Sequence, residues 1–145
     1  MDINKYMTRC LELAQKAKAA GHTAVGSLIV KDGKILTEAS EGSGELPQMT
    51  AHAEMIAVLK AVQITANKDL SGTWLVTTVE PCFMCSYLIR QTGISKIIYG
   101  TTTDETGGDS SQFPFLTSDK IRKWAPAPEV VGGVMAAECR AILRK

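Results

Sequence analysis

The sequence predicts an α/β fold, namely a three-layer α/β/α sandwich on a mixed, largely parallel five-stranded sheet. An Asp-Gly turn between two apolar runs near the N-terminus predicts an antiparallel hairpin. Farther along, apolar strand-like runs alternate with amphipathic helical segments, which is typical of parallel strands covered by helices on both faces. The chain has 145 residues, 45% of them hydrophobic and 21% charged. Because that length suits one hydrophobic core, we expect a single domain over residues 1–145.

The first part of the chain predicts a helix followed by the hairpin. Apolar residues recur at helical spacing over residues 3–20, and Gly21 ends this pattern. Residues 25–30 and 34–39 have the composition of strands and flank the Asp-Gly turn. Residues 41–48 are rich in Gly, Ser, Glu and Pro, which predicts a loop.

The second part of the chain predicts the parallel strands and their helices. The strand over residues 73–79 is a continuous apolar, β-branched run, as expected for a strand buried on both faces. Residues 100–115 are polar and glycine-rich, so we predict a functional loop that covers a pocket. The other predicted elements are a helix over residues 51–65 with Thr50 as its N-cap, a helix over 85–91 that opens at Pro81, strands over 95–99 and 129–131, and a last helix over 134–143.

Two short motifs carry residues suited to metal chemistry. His52 and Glu54 lie in Thr-Ala-His-Ala-Glu, and Cys82 and Cys85 lie in Glu-Pro-Cys-Phe-Met-Cys. Zinc prefers nitrogen and sulfur ligands in a tetrahedron, and a catalytic zinc keeps three protein ligands plus a water. Two thiols three residues apart lie on one face of a helical turn. We therefore predict a Zn²⁺ site formed by His52, Cys82 and Cys85.

Glu54 is the predicted catalytic acid and base. Residues two apart on a regular helix point about 200° away from each other, so His52 and Glu54 share a site only at the start of a helix. We place Glu54 beside the water on the metal rather than on the metal itself. Zinc lowers the pKa of a bound water to about 7, and a neighbouring carboxylate then carries protons.

The two motifs resemble the His-x-Glu and Pro-Cys-x-x-Cys motifs of the cytidine deaminase superfamily. Within it, the chain is most similar to the branch that contains guanine deaminase, yeast-type cytosine deaminase and bacterial tRNA adenosine deaminase. Residues 24–26, 97–100 and 134–139 are also similar to that branch. The resemblance implies a cytidine deaminase-like fold, hydrolytic deamination with Zn²⁺ as cofactor, and a homodimer.

The resemblance also indicates which residues surround the substrate. Purine- and cytosine-specific relatives have a substrate-binding asparagine where this chain has Glu-Ala-Ser-Glu-Gly at residues 38–42. Either Ser40 or Glu41 replaces that contact, or both are solvated loop residues, and the sequence leaves both interpretations open. Phe115 and Trp124 are candidate stacking walls, with the hydrophobic core as their alternative place. The full predicted substrate-binding set is Val25, Ser40, Glu41, Ala51, Glu80, Asp104, Phe115 and Trp124.

The predicted function is a zinc-dependent hydrolytic deaminase that converts an amino-substituted nucleobase or nucleoside, of guanine, cytosine or adenine type, to the oxo product and ammonia. The 16 basic residues exceed the 15 acidic residues by one, so no overall basic field attracts a polyanion. We therefore predict a small heterocyclic substrate. Deamination of adenosine to inosine in tRNA is the alternative, because contacts to phosphates need Lys and Arg.

Two other classes of protein explain less of the sequence. A structural zinc module needs a fourth strong ligand, but the candidates are distant in sequence and explained otherwise: Cys10 and Cys139 as packing residues in apolar helical patterns, and His22 as a surface residue at a helix–strand turn. A Cys-x-x-Cys redox protein leaves His52 and Glu54 without a role. The chain starts directly with an amphipathic pattern and contains no apolar run of about 20 residues, which predicts a cytoplasmic protein that does not enter a membrane.

Overall fold

The computed structural model describes residues 2–144, which form four α-helices and one five-stranded sheet. The elements in chain order are α1 (Ile3–Ala19), β1 (Gly26–Lys31), β2 (Lys34–Ser40), α2 (Ala53–Thr65), β3 (Trp74–Val79), α3 (Phe83–Thr92), β4 (Lys96–Thr101), β5 (Glu129–Val131) and α4 (Ala136–Leu143). Two short 3-10 turns at Gln48–Thr50 and Asp104–Thr106 lie in the connections. None of the helices within residues 2–144 has the length and hydropathy of a membrane span.

The strand order is β2-β1-β3-β4-β5. Strand β1 pairs antiparallel with both β2 and β3, whereas β3 pairs parallel with β4, and β4 with β5. Four of the five strands therefore point the same way, and only β1 runs against them. This is the mixed, largely parallel sheet that the sequence predicts.

Each face of the sheet is covered by two helices. Successive strand residues point to opposite faces, so Leu28 packs with residues of α1 and with Cys139 of α4. The next residue, Ile29, packs on the other face with Ile56 of α2 and Ile89 of α3. The result is a three-layer α/β/α sandwich.

Two helices begin at residues other than those that the sequence predicts. Helix α2 has His52, not Thr50, as its N-cap, because Thr50 belongs to the preceding 3-10 turn and its hydroxyl donates to Pro47 O. Helix α3 has Cys82 as its N-cap, so Pro81 lies outside the helix rather than at its first position. Neither His52 nor Cys82 caps its helix through its side chain, which leaves both side chains available for other contacts.

The last helix is also shorter than predicted. It begins at Ala136, because Met135 takes a left-handed conformation with a φ of 52° and cannot continue a helix. Cys139 is fully buried, as expected for a packing residue. The N-termini of α2 and α3 and the C-terminal ends of β3 and β4 lie at one edge of the sheet, which is where ligand sites form in α/β folds.

Candidate metal centre and active site

The three predicted metal ligands converge at this edge of the sheet. His52 and Cys82 are the N-caps of α2 and α3, and Cys85 lies in the first turn of α3. Their ligand atoms all lie within 4.8 Å of one another. His52 Nδ1 is 3.5 Å from Cys82 Sγ and 3.6 Å from Cys85 Sγ.

These separations fit a zinc ion. Zn–N bonds of about 2.0–2.1 Å and Zn–S bonds of about 2.3 Å at tetrahedral angles separate nitrogen from sulfur by about 3.6 Å. No fourth His, Cys, Asp or Glu of residues 2–144 belongs to the cluster. A donor set of one imidazole and two thiols leaves a coordination position for water, as in catalytic zinc sites.

Glu54 lies next to the ligands in the first turn of α2 and is buried. Its Oε1 accepts a hydrogen bond from Thr77 Oγ1 at 2.7 Å, and Ser27 Oγ donates to Thr77 Oγ1 at 2.8 Å. Its Oε2 is 3.3 Å from Cys85 Sγ. One oxygen is therefore fixed by β3, and the other lies at the metal site.

Hydrogen bonding within the cluster shifts the pKa values of its ligands. The hydrogen bond from Cys85, and after it the one from His52, lowers the pKa of Cys82 to about 4 against the effect of burial. The hydrogen bond to Cys82 raises the pKa of His52 to about 9. The hydrogen bond to Cys82 and burial raise the pKa of Cys85 well above its usual range. The cluster favours a thiolate at Cys82, which is the form that binds zinc, whereas His52 and Cys85 must release their protons when the metal binds.

Glu54 has a different electrostatic environment. Burial raises the pKa of its carboxyl group to about 7, and the charge of Glu41 contributes in the same direction. A carboxyl group with a pKa near 7 both accepts and donates protons at neutral pH. This property suits the acid and base role predicted from the sequence.

A cleft of about 400 Å³ opens beside the cluster. His52, Glu54 and Cys82 form part of its wall. The wall also includes residues from the turn before β1, the ends of β2 and β3, the loop after β4, and α4, among them Thr23, Val79, Thr102, Thr103, Thr106, Arg140 and Leu143. The space suits a single heterocyclic ring with its attached sugar.

Comparison with known proteins identifies the family. Residues 1–101 match the family model described as the cytidine and deoxycytidylate deaminase zinc-binding region. The chain belongs to this family. A tRNA-specific adenosine deaminase from Streptococcus pyogenes serotype M18 is 33% identical over 139 residues, which cover 96% of this chain and 86% of that protein.

Solved structures of deaminases share the fold of the chain. A structure from a study of A-to-I editing by tRNA:A34 deaminases at the wobble position of transfer RNA has a TM-score of 0.87 and 28% identity, and the match covers 96% of this chain and 99% of that chain. Guanine deaminase from Bacillus subtilis has a TM-score of 0.65 and 31% identity over 70% of this chain and 66% of that chain. The protein is a zinc-dependent hydrolytic deaminase of a nucleobase or nucleoside, with Zn²⁺ as its cofactor.

Four of the predicted substrate-binding residues line the deaminase cleft: Val25, Glu41, Glu80 and Asp104. Of the two candidates for the asparagine position, Glu41 is the one at the cleft. Its Oε1 accepts a hydrogen bond from Ala53 N at 2.7 Å, so its carboxylate also satisfies the first backbone amide of α2.

The other four predicted residues lie outside the cleft wall. Ser40 is buried, and its hydroxyl donates to Leu13 O at 2.7 Å, so it is occupied by packing against α1. Ala51 is a buried residue of the segment that precedes α2, and its carbonyl accepts a hydrogen bond from Gly42 N at 2.8 Å. The ring of Phe115 packs against Phe83 with centroids 5.2 Å apart, and Trp124 packs against Tyr87 with centroids 5.8 Å apart.

Ser27 and Thr77, which are not among the predicted site residues, orient the Glu54 carboxylate of the deaminase. Both are fully buried polar residues inside apolar strands. A buried polar side chain requires a hydrogen-bond partner. A polar residue inside an apolar strand is therefore the sequence feature that could have indicated these two positions. The partner itself is visible only in the folded chain, because Glu54 is distant from both residues along the sequence.

Metal analysis tests the ligand set. We expect about one zinc per chain after purification without chelator, and a loss of zinc affinity of at least about 100-fold in Cys82→Ala and in Cys85→Ala, because each thiolate is one of three ligands. The matched controls Cys10→Ala and Cys139→Ala remove buried thiols elsewhere and should retain the zinc. Full zinc content in Cys82→Ala, measured by mass spectrometry of the metal, contradicts the assignment.

Proposed function

We propose that the protein deaminates adenosine to inosine in tRNA. The observation that carries this proposal is the similarity over nearly the whole chain to proteins named tRNA-specific adenosine deaminase, of which the Streptococcus pyogenes protein is 33% identical over 96% of this chain. The overall charge of the sequence favours a small heterocyclic substrate. The relatives favour the tRNA alternative instead. A tRNA substrate is compatible with the cytoplasmic location that the sequence predicts.

The site residues divide the chemistry between them. His52, Cys82 and Cys85 would hold a zinc ion, which supplies an activated water when bound. Glu54 takes a proton from the attacking water and delivers it to the ring nitrogen, and then transfers a proton to the departing amine. Water thus adds oxygen at the amino-bearing ring carbon, and ammonia leaves. Thr77 keeps Glu54 in place by its hydrogen bond to Oε1, so that Oε2 remains available for the proton.

Two acidic residues and one apolar residue of the cleft wall are suited to hold the base. Oε1 of Glu41 is occupied by Ala53 N, which leaves the second oxygen free to accept a hydrogen bond from a base or sugar. Asp104 lies in the wall on the loop after β4, and Val25 provides an apolar surface for a ring. We propose these three side chains as substrate contacts.

Three basic residues lie near one another at the C-terminal ends of α1 and α4, and one of them reaches the cleft. Arg140 of α4 is part of the cleft wall and is exposed. The Nζ of Lys18 donates to Ile142 O and Arg144 O, which brings the C-terminal ends of α1 and α4 together. We call Lys18, Arg140 and Arg144 the basic rim. Its charges are suited to contact the phosphates that flank a target adenosine.

The substrate proposal is tested by incubating the zinc-loaded protein with tRNA that carries adenosine in the anticodon loop, and in parallel with adenosine, adenine, guanine, guanosine, cytosine and cytidine. We expect inosine in the RNA, detected by chromatography of digested nucleosides, at a rate at least about 100-fold above that on free adenosine, because remote contacts contribute to transition-state binding. Glu54→Gln should retain zinc and lose about 10²–10⁴-fold in kcat.

The same assay distinguishes the alternative. Rapid ammonia release from a free base or nucleoside, without inosine in the RNA, supports the small-molecule substrate and contradicts the tRNA proposal. Equal activity of Glu54→Gln and the parent protein removes Glu54 from its role with either substrate.

The basic rim gives a prediction for salt dependence. Arg140→Ala should weaken tRNA binding and reduce the slope of log K against log salt by about 0.7–1, which corresponds to one phosphate contact. Lys34→Ala serves as the control. It removes the same charge at the β1–β2 turn, which lies at the end of β1 away from the cleft. Equal slopes for Arg140→Ala and the parent in filter-binding titrations count against the rim.

The homodimer implied by the family resemblance has a candidate surface. Phe83 and Tyr87 lie one turn apart on α3, and Phe113, Phe115 and Trp124 pack beside them. Tyr87 is 51% exposed and Phe113 57% exposed. We call these five residues the aromatic face. A contiguous exposed patch of aromatic side chains is typical of protein interfaces, so we propose that a second copy of the chain covers it.

Light scattering tests the dimer. The parent protein should have twice the mass of one chain, and Tyr87→Asp should shift it towards one chain, because a carboxylate would be buried without a partner. Ile35→Asp introduces the same charge at another exposed apolar residue, next to the hairpin turn, and should leave the dimer intact. A monomeric parent protein at micromolar concentration contradicts the proposal.

A further inference from the structure

Glu80 makes an unusual set of contacts with the loop that follows β4. Its side chain is buried, with 2% of the residue exposed. Oε1 accepts hydrogen bonds from Thr103 N at 2.9 Å and Ser110 Oγ at 2.8 Å. Oε2 accepts hydrogen bonds from Asp109 N at 2.8 Å and Ser110 N at 2.6 Å. Three of the four donors are backbone amides, so the carboxylate holds the loop by its main chain.

The loop also fits closely around the carboxylate. A Cβ atom at position 107 would overlap both carboxylate oxygens of Glu80, and one at position 108 would overlap Ser86 Oγ. Gly107 has a φ of −70°, which any residue adopts. The absence of a side chain at Gly107 is therefore required by the approach of Glu80 and not by the backbone conformation.

The same loop joins the metal-binding turn to the substrate cleft. Gly107 pairs with Cys82 in an isolated antiparallel bridge, and Gly108 N donates to Pro81 O at 2.9 Å. At the start of the loop, Thr102, Thr103 and Asp104 form part of the cleft wall. The position of this wall relative to the metal ligands therefore depends on how the loop is held.

We propose that Glu80 is a positioning residue of the deaminase. Its buried carboxylate holds residues 102–111 against the metal-binding turn and so places Thr102, Thr103 and Asp104 against the substrate. We call Glu80 and its partners Thr103, Asp109 and Ser110 the Glu80 clamp. The inference rests on the deaminase function for its effect on activity, whereas the clamp itself is measurable without substrate.

The chemistry of the contacts indicates why a carboxylate is required. Every group that faces Glu80 is a donor, and a carboxylate accepts at both oxygens. A glutamine at this position presents one oxygen and one N–H₂ group. A backbone amide cannot become an acceptor, and at least one of them faces each carboxylate oxygen. Glu80→Gln therefore leaves at least one amide without an acceptor in either orientation, with almost no change in side-chain volume.

The test compares zinc-loaded Glu80→Gln with Glu105→Gln, which makes the same chemical change at an exposed position of the same loop. In Glu80→Gln alone, we expect hydrogen exchange at the amides of Thr103, Asp109 and Ser110 to accelerate at least about tenfold. We expect KM for the substrate identified above to rise about tenfold, with kcat changed less than about threefold, because the loop contributes to substrate binding. Zinc content should be unchanged in both variants.

A second variant approaches the clamp from the loop. Gly107→Ala forces the carboxylate away from its partners and should reproduce the exchange pattern and the rise in KM. The variant that combines Glu80→Gln with Gly107→Ala should have no higher KM than the more affected of the two single variants, because both changes disrupt the same set of contacts.

The outcomes separate the clamp from the deaminase function. Unchanged amide exchange and unchanged KM in zinc-loaded Glu80→Gln overturn the inference. A loss of zinc with a normal KM of the loaded fraction also overturns it, because Glu80 then supports the metal turn alone. If the parent protein is inactive on every substrate while exchange accelerates in Glu80→Gln, the proposed function fails and the clamp remains supported.

Discussion

The convergence of two helix N-termini at one edge of the sheet determines the active site. His52 and Cys82 are the N-caps of α2 and α3, so each has an extended backbone and a side chain that projects from the end of its helix. Because both helices pack on the same face of the sheet, these side chains meet, with Nδ1 and Sγ 3.5 Å apart. The positive ends of both helix dipoles also stabilise the thiolate that zinc requires. The metal site thus depends on the packing of α2 and α3 on the sheet.

Two buried charges hold the long, mostly irregular connection between β4 and β5. Glu80 accepts hydrogen bonds from the first half of this connection, next to the cleft. Arg90 donates from its Nη atoms to four backbone carbonyls in the second half, those of Phe115, Leu116, Ser118 and Ala125. A buried charge is costly unless its hydrogen-bonding capacity is used, and here backbone groups use most of it. The two residues give the connection a defined position without regular secondary structure.

The distribution of charge and aromatic residues shows why the composition of the whole chain does not describe the surroundings of the cleft. A net charge of +1 describes the whole chain, whereas a polyanion meets only the residues around the cleft. There, Arg140 is part of the wall, and Lys18 connects α1 to the end of α4. Phe115 and Trp124 resemble base-stacking residues in the sequence, yet the fold places them beside Phe83 and Tyr87, away from the cleft. Local position decides what such residues contact.

The sequence by itself determined the fold class and the three metal ligands, because hydrophobic periodicity and the spacing of zinc-binding motifs are properties of short segments. It also indicated Glu54 as the acid and base, because at the start of a helix a carboxylate two residues after a ligand can face the same site. Only the tertiary structure decided which residues support these groups. Thr77 reaches Glu54 from β3, and Glu80 reaches Ser110 across the connection after β4. Such contacts join residues far apart in the chain, and no local pattern records them. The N-caps at His52 and Cys82 were decided in the same way, by packing rather than by capping propensity.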